Sequence, residues 1–459
     1  VEHGTAEEPT PRHRGFTRSN ELQARLHDLV PGGAHTYARG ADQYPESMAP
    51  ILVRGNGCRV WDADGNSYIE YGMGLRSVTL GHGYRPVLDA VAAAIADGVS
   101  FSRPTELELL AAQDFLALVP GADMVKFAKN GSDATTAAVR LARAATGRTV
   151  IAVCDQPFFS VDDWFIGTTP MANGIPAAAA AGTMRFRYND LPSLAAVLET
   201  EAVAAVVMEA ATALAEPDPG FLEGVRELCD RYRTLLVFDE MITGFRWSAG
   251  GAQAVYGVRP DLSCWGKAMG NGFPISALAG RRDLMELGGL RTDRERVFLL
   301  STTHGPESSS LAAFRAVVRE YTTGDPVARM EHAGRLLADG VNAVAAELGI
   351  AEYLEVLGRP SCLIFATRDA DGKPSQAYRT LFLQELLERG VLGQSFVTSA
   401  AHTEIDVAQT ISACREAATS YRKAIEQGSV DGLLHGRPVA PALRKHAEPR
   451  RIGAEPAGV

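Results

Sequence analysis

The chain has no CxxC pair and no histidine at metal-ligand spacing. Its six cysteines, Cys58, Cys154, Cys229, Cys264, Cys362 and Cys414, are scattered through 459 residues. Neither a disulfide framework nor a zinc site is indicated, and a reducing, cytoplasmic location is expected. Excess positive charge is also lacking. Forty-five basic residues against 55 acidic ones leave a formal net charge of -10, which disfavours nucleic acid and anionic membranes as partners and leaves small molecules. Long apolar runs are missing too: nothing approaches the roughly 18 residues a membrane span needs. The polar start VEHGTAEEPTPRHRG has no apolar core of a signal peptide, so neither export nor a membrane is expected.

What is present describes an ordinary globular protein, 46% hydrophobic and 22% charged, long enough for one large and one smaller lobe. SNELQARLHDLVPGG, residues 19–33, predicts an amphipathic helix capped near Ser19 and stopped at Pro31. GCRVWDADGNSYIEY, residues 57–71, predicts a hairpin turning at Asp64, Gly65 and Asn66. Helical patterns then alternate with β-branched runs at 149–154, 203–209, 234–240 and 261–267, the signature of a largely parallel sheet with helices on both faces. MANGIPAAAAAG, residues 171–182, reads as a surface loop, either a lid or an idle insertion. Beyond residue 330 three amphipathic helices surround the short apolar run SCLIFAT, giving a smaller α+β lobe. The tail from residue 435 has few apolar residues and is expected to pack loosely. No internal repeat is visible.

Lys267 ends the run LSCWGK and precedes a glycine-rich turn, a position where a free ammonium is costly. Asp239 ends the run TLLVFDE, and in an open α/β sheet the strand ends are where ligands bind. An amine and a carboxylate in one crevice suit pyridoxal phosphate (PLP): a lysine forms the Schiff base and an acid keeps the ring nitrogen protonated. The phosphate needs backbone N–H groups at a helix start. KNGSDATTAAVRLARAATG supplies one, with Asn130, Gly131 and Ser132 as the turn. Taken singly, each element reads as a snorkelling lysine, an ordinary strand end or a simple cap. Their occurrence together, in this order on an α/β pattern, favours the cofactor.

FDEMITGFRWSAGGAQAVYGVRPDLSCWGKAMGNGFPISALAGRRDLM, residues 238–285, resembles the signature of class III PLP-dependent aminotransferases, and the chain is similar to the glutamate-1-semialdehyde 2,1-aminomutase branch over residues 20 to 425. The resemblance implies an α/β protein of PLP fold type I. Its large domain, 81–330, would hold a mixed, mainly parallel sheet flanked by helices. A smaller α+β domain would be built from both chain ends, 19–80 and 331–428, between a mobile segment 1–18 and a loose tail 429–459. A homodimer with shared active sites is implied as well.

Position by position, the resemblance makes Lys267 the Schiff-base lysine and later general base, and Asp239 the partner of the pyridinium nitrogen. Gly131 and Ser132 match the phosphate turn, Thr302 the threonine reaching the phosphate from the other subunit, and Met241 the apolar residue on one ring face. Glu209 matches a glutamate followed in the family by proline, where this chain has Ala210. In place of Tyr-His-Gly stands QPFFSVDDWFIGTT, which makes Phe158 the stacking ring and puts Phe159 where histidine is expected. On the substrate side, PGGAHTYARG makes Arg39 a candidate for a carboxylate, with His35 and Thr36 beside it. Leu75 stands where the aminomutase has tryptophan, Arg76 is an extra cation, and Gly393 replaces a glutamate.

The cofactor half is thus kept and the substrate half altered. The activity expected is transfer of an amino group, by ping-pong chemistry, from an amino acid donor such as glutamate to a semialdehyde, keto-sugar or biosynthetic keto acid. The aminomutase reaction uses the same groups and is the alternative, and epimerisation shares them. A PLP-binding homologue without turnover would lack Lys267 or Asp239, and both are present.

Overall fold

The computed structural model describes residues 14–155 and 159–447. Near the N-terminus lie β1 (Leu52–Asn56), β2 (Arg59–Asp62) and β3 (Ser67–Glu70), an antiparallel meander. The turn between β2 and β3 falls at Asp64, Gly65 and Asn66 as expected, with Gly65 at φ +86°, where a side chain would be strained. Asp64 has a second task. The first helix spans Thr17–Leu29, and its exposed N–H groups at Arg18 and Ser19 donate to the Asp64 carboxylate at 2.6 and 2.8 Å. Ser19 is therefore not the cap; it lies inside the first turn, buried, accepting a hydrogen bond from the Ile51 N–H.

The large domain holds β4 (Met124–Ala128), β5 (Val150–Cys154), β6 (Thr183–Phe186), β7 (Val203–Met208), β8 (Leu235–Asp239), β9 (Leu262–Trp265) and β10 (Ser276–Gly280). They form one sheet in the order β4-β10-β9-β8-β7-β5-β6. The pairs from β9 through β8, β7 and β5 to β6 are parallel, and β10 runs against both its neighbours. Strands β7 and β9 are buried along their whole length, which explains their continuous apolar sequence. Helices cover both faces, among them Gly131–Thr146 and Ser308–Thr323. The 171–182 segment is not wholly loop, since Ala177–Ala181 forms one helical turn.

The smaller lobe contains β11 (Leu354–Leu357), β12 (Ile364–Thr367) and the two-residue β13 (Val391–Leu392), with helices Pro326–Glu347, Gln376–Glu388 and Glu404–Gln427. Strand β13 pairs in parallel with β3, Val391 opposite Ile69 and Leu392 opposite Glu70, so both chain ends build this lobe. Its core joins Tyr71, Leu337, Phe365, Phe382, Phe396 and Tyr421. The tail departs from its expected looseness: Val439 is 6% exposed and its N–H bonds Thr380 Oγ1, while Ala440 and His435 bond Asp42 and Gln384. Backbone hydrogen bonds hold this stretch where apolar area is scarce. No described helix is long and apolar enough to cross a membrane.

Candidate active site

Strands β7, β8 and β9 run in parallel side by side, and their carboxyl ends deliver three ionisable side chains to one place. Asp239 closes β8, Glu209 follows β7, and Lys267 lies two residues past β9. The register that pairs Met208 with Phe238 puts Glu209 level with Asp239. Asp239 is 2% exposed, and one carboxylate oxygen accepts the Met241 N–H at 2.9 Å. Burial pushes its carboxyl up to about 6, although the Lys267 cation pulls the other way. Glu209 is 5% exposed, and its Oε2 is buried with no hydrogen-bond partner. Burial, then the neighbouring Asp239, raises its carboxyl well above the usual range. Lys267 is pushed down by burial, against the attraction of Asp239 and Glu209. Its backbone takes the left-handed conformation, φ +43°, directly after Gly266.

Met241 packs against the two glycines nearest this cluster. A Cβ on Gly131 would stand 2.9 Å from the Met241 sulfur, and one on Gly266 only 2.6 Å from it. Gly131 opens the helix Gly131–Thr146, with Asn130 at its cap. The Asn130 N–H donates to Asp133, and its carbonyl accepts the Ser276 hydroxyl from β10 at 2.7 Å. Ser132 Oγ accepts the Val161 N–H at 3.0 Å. Just upstream, the Lys129 ammonium meets Glu307 at 2.6 Å. The turn Asn130–Gly131–Ser132 is thereby tied to the loop after β5, to β10 and, through Lys129, to the start of the helix Ser308–Thr323.

Residues expected on the substrate side divide into separate places. Arg76 stands near the strand-end cluster, where its charge acts on both Glu209 and Lys267. With Leu75 it occupies a left-handed stretch, φ +72° and +58°, and lines a cavity of 280 Å³. Arg39 is exposed on the single turn Tyr37–Arg39, close enough to act on the Tyr44 hydroxyl, and Tyr44 lines the same cavity. His35 is exposed. Thr36 lines a different cavity of 520 Å³, with Met171 and Arg444. Thr302 is exposed and lines a third, of 330 Å³, with Glu108 and Lys126. Phe159 is 2% exposed and packs edge-on to Phe165 at 5.4 Å in the main core. Phe158 lies outside the described residues. Gly393 sits tightly, since a Cβ there would come 2.7 Å from the Ser395 carbonyl.

Sequence reading missed Arg379, Gln394 and Tyr44, which line the 280 Å³ cavity. Nothing in the local sequence singled out the first, which lies in the helix Gln376–Glu388 just before residues 380 to 387, all of them buried.

A family model for class III aminotransferases matches residues 40–400. The glutamate-1-semialdehyde 2,1-aminomutase of Pelotomaculum thermopropionicum is 34% identical over 441 residues, 90% of this chain and 100% of that one. The enzyme of the same name from Roseiflexus castenholzii is 35% identical, covering 90% and 99%. Among solved structures, the FumI protein of Sphingopyxis sp. MTA144, in its PLP internal aldimine form, superposes with a TM-score of 0.83 at 27% identity, over 91% of this chain and 100% of that one. An omega-transaminase from Sphaerobacter thermophilus gives 0.79 at 26%, over 88% and 97%. The fold, a mainly parallel sheet between helices beside a smaller lobe, is that of the fold type I aminotransferases, and the chain belongs to the class III aminotransferase family.

Proposed function

We propose that this chain is a PLP-dependent aminotransferase that passes an amino group from an amino acid donor, glutamate first, to a polar aldehyde or ketone. The observation that carries the reading is the convergence of Lys267, Asp239 and Glu209 in one buried cluster at three adjacent strand ends. The residues present fit pyridoxal phosphate. Met241 packs so closely on Gly131 and Gly266 that neither could carry a Cβ without displacing it, and Glu209 Oε2 is a buried polar atom without a partner. When bound, the cofactor supplies an aldehyde carbon that condenses with amines and a conjugated ring that takes up electrons from the substrate Cα–H bond.

Lys267 Nζ is the amine that anchors the cofactor. Burial disfavours its charged form, against the attraction of Asp239 and Glu209, and so favours the nucleophilic amine. Freed by the incoming donor amine, the same nitrogen would take the proton from the donor's Cα and hand it on to the cofactor, and in the second half-reaction would carry a proton the other way, to the acceptor's carbonyl carbon. Asp239, aimed by the Met241 N–H, would hold the ring nitrogen and favour its protonated form. Glu209 holds a proton beside it, so the two carboxyls do not repel. Asn130, Gly131 and Ser132 offer the phosphate a helix start and a hydroxyl. Arg76, beside the strand-end cluster, and Arg39, which acts on Tyr44 of the same cavity, make up the substrate side, whereas Phe159 packs in the core and Thr36 lines another cavity.

Thr302 is exposed, as are the apolar Leu109 and Phe298, the latter 68% accessible. This supports a homodimer in which Thr302 reaches a second copy's cofactor. All six cysteines are free and buried, which supports a reducing, cytoplasmic setting.

The aminomutase reaction is the second reading, favoured by the names of the relatives at 34 and 35% identity. Leu75, Arg76 and Gly393 weigh against it, because they alter the substrate half. The test is to mix PLP-loaded protein with a panel of amino donors and follow the cofactor absorbance and the keto acid released. Conversion by glutamate with release of 2-oxoglutarate is expected. Inertness to every donor, with 5-aminolevulinate formed from glutamate-1-semialdehyde, would overturn the reading in favour of the mutase.

A further inference from the structure

Residues 433–444 bury one side chain deeply, Val439, which joins the core of the smaller lobe with Tyr378 and Phe382. The rest of the stretch is held through polar groups on two sides. On the first it meets the helix Gln376–Glu388. Gln384 uses both ends of its amide, donating to the Leu433 carbonyl at 3.0 Å and accepting the His435 N–H at 2.8 Å, and Thr380 Oγ1 accepts the Val439 N–H at 2.8 Å. Thr380 and Gln384 stand four apart, on one face of the helix, and are 0 and 1% exposed. Buried polar side chains need partners, and the backbone of the tail is what lets these two sit in a buried run.

On the second side the tail meets residues 37–46. The Ala440 N–H donates to the Asp42 carbonyl at 3.1 Å, and the Ala440 carbonyl accepts Gln43 Nε2 at 2.8 Å. The Arg437 N–H donates to Glu46 at 2.8 Å, and Arg444 pairs with Asp42 at 2.6 Å. This stretch has little regular structure of its own. It forms two single turns, Tyr37–Arg39 and Ala41–Gln43, with no residue of either buried, and isolated turns are marginal in water. Away from the tail, the Gln394 amide donates to the carbonyls of Ala38 and Gln43 at 3.2 and 3.4 Å, and Tyr44 packs on the cluster that holds Leu387 and Leu392. Gln394 and Tyr44 both line the 280 Å³ cavity, so the stretch that the tail grips is also the one that carries a cavity wall.

We propose that residues 433–444 are a strap, which ties the helix Gln376–Glu388 to residues 37–46 and so holds the Tyr44 wall of the cavity in position for substrate. The consequence for substrate rests on the aminotransferase reading above; the strap itself does not depend on turnover.

Truncation after Gly432 removes the strap and leaves the strand-end cluster intact. In the PLP-loaded truncated protein, amide hydrogen exchange is expected to quicken at least about tenfold at Arg39, Gly40, Gln43 and Tyr44, whose N–H groups bond within single turns, while β7 and β8 exchange as in the full chain. KM for the substrate converted, glutamate or glutamate-1-semialdehyde, should rise about tenfold, with kcat and cofactor absorbance within about twofold of the full chain. Gln384→Leu, which keeps the helix face buried and cuts two of the strap's bonds, should move exchange and KM the same way by less, and it replaces the truncation should that fail to fold. Unchanged exchange at these four amides would overturn the strap. Quickened exchange with an unchanged KM would overturn its service to substrate, and acceleration spread evenly over the chain would make the tail a general prop instead. Quickened exchange at the four amides, in a protein that converts neither substrate, keeps the strap and removes the aminotransferase reading. Conversion of glutamate with exchange untouched does the reverse.

Discussion

Asp239 sits where its charge is unwelcome to the fold and needed by the proposed chemistry. Its carboxyl rises from 3.8 to about 6, so between those values the folded chain binds more protons than the unfolded one. The stability this represents is fully present below about 3.8 and is lost as pH rises through about 6. At about 1.4 kcal/mol per unit, the buried charge costs about 3 kcal/mol at neutral pH. Asn at this position can still accept the Met241 N–H. Asp239→Asn, stripped of cofactor, is therefore expected to be more stable than the wild type at pH 7.5, with the gain vanishing towards pH 4, as urea unfolding would measure. Its turnover when loaded should fall at least about a hundredfold; a variant less stable at pH 7.5 would refute the account. Lys267→Ala should keep PLP only non-covalently, so that borohydride no longer fixes it to the chain, and lose about a thousandfold or more in rate. Both residues were legible because each ends an apolar run, an anomaly visible locally. Arg379 was not, since nothing within its own helix says that Arg76, from the other end of the chain, lines the same cavity.

At the scale of elements, β5, β7, β8 and β9 could be read to within a residue or two because they are rich in Val, Leu and Ile or wholly buried. Strand β10 could not: Ser-Ala-Leu-Ala-Gly has little β-propensity, and it is a strand because it fills the gap between β4 and β9. Caps made between distant segments were equally hidden, as Asp64 shows for the first helix. Glu307 is the sharpest case. It caps the helix Ser308–Thr323, accepting the Ser309 and Ser310 N–H groups at 2.8 and 3.0 Å, and pairs with Lys129. Burial works against its charge, yet Lys129, Ser309 and Ser310 together hold it down at about 2. Lys129 is itself pushed down by burial despite this partner. Glu307→Ala thus removes a cap and strands a largely buried ammonium, and a loss of about 3 kcal/mol is expected. Glu307→Gln, which keeps acceptor geometry, should lose less. Because Lys129 adjoins Asn130, PLP should also leave Glu307→Ala faster, measured as the rate of absorbance loss on dilution. A cap without the second role would change stability and leave that rate alone.

Across the whole molecule, one fully buried guanidinium bonds segments of both lobes. Arg246 belongs to the loop after β8, and its side chain donates to the carbonyls of Ser361 and Thr398 at 2.8 Å and of Arg76 at 3.2 Å. These three acceptors come from the C-terminal half of the smaller lobe and from the segment that carries one wall of the 280 Å³ cavity. Nothing in the local pattern around GFRWSAG announces this, because the partners lie 115, 152 and 170 residues away. The assembly of one lobe from both chain ends was expected from family resemblance, not from periodicity. Burying the charge is costly, and burial lowers the affinity of Arg246 for its proton, but a guanidinium remains charged and is the side chain with enough forked donors for three carbonyls. Arg246→Lys keeps the charge and loses the fork, leaving at least one buried carbonyl unpaired at a cost of about 2 kcal/mol. If Arg246 ties lobe to lobe, that loss is not shared evenly. Amide hydrogen exchange in Arg246→Lys should quicken around Ser361, Thr398 and Arg76, while β7 and β8 exchange as in the wild type. Uniformly faster exchange would mean that Arg246 supports the large domain itself and that the lobes are joined elsewhere.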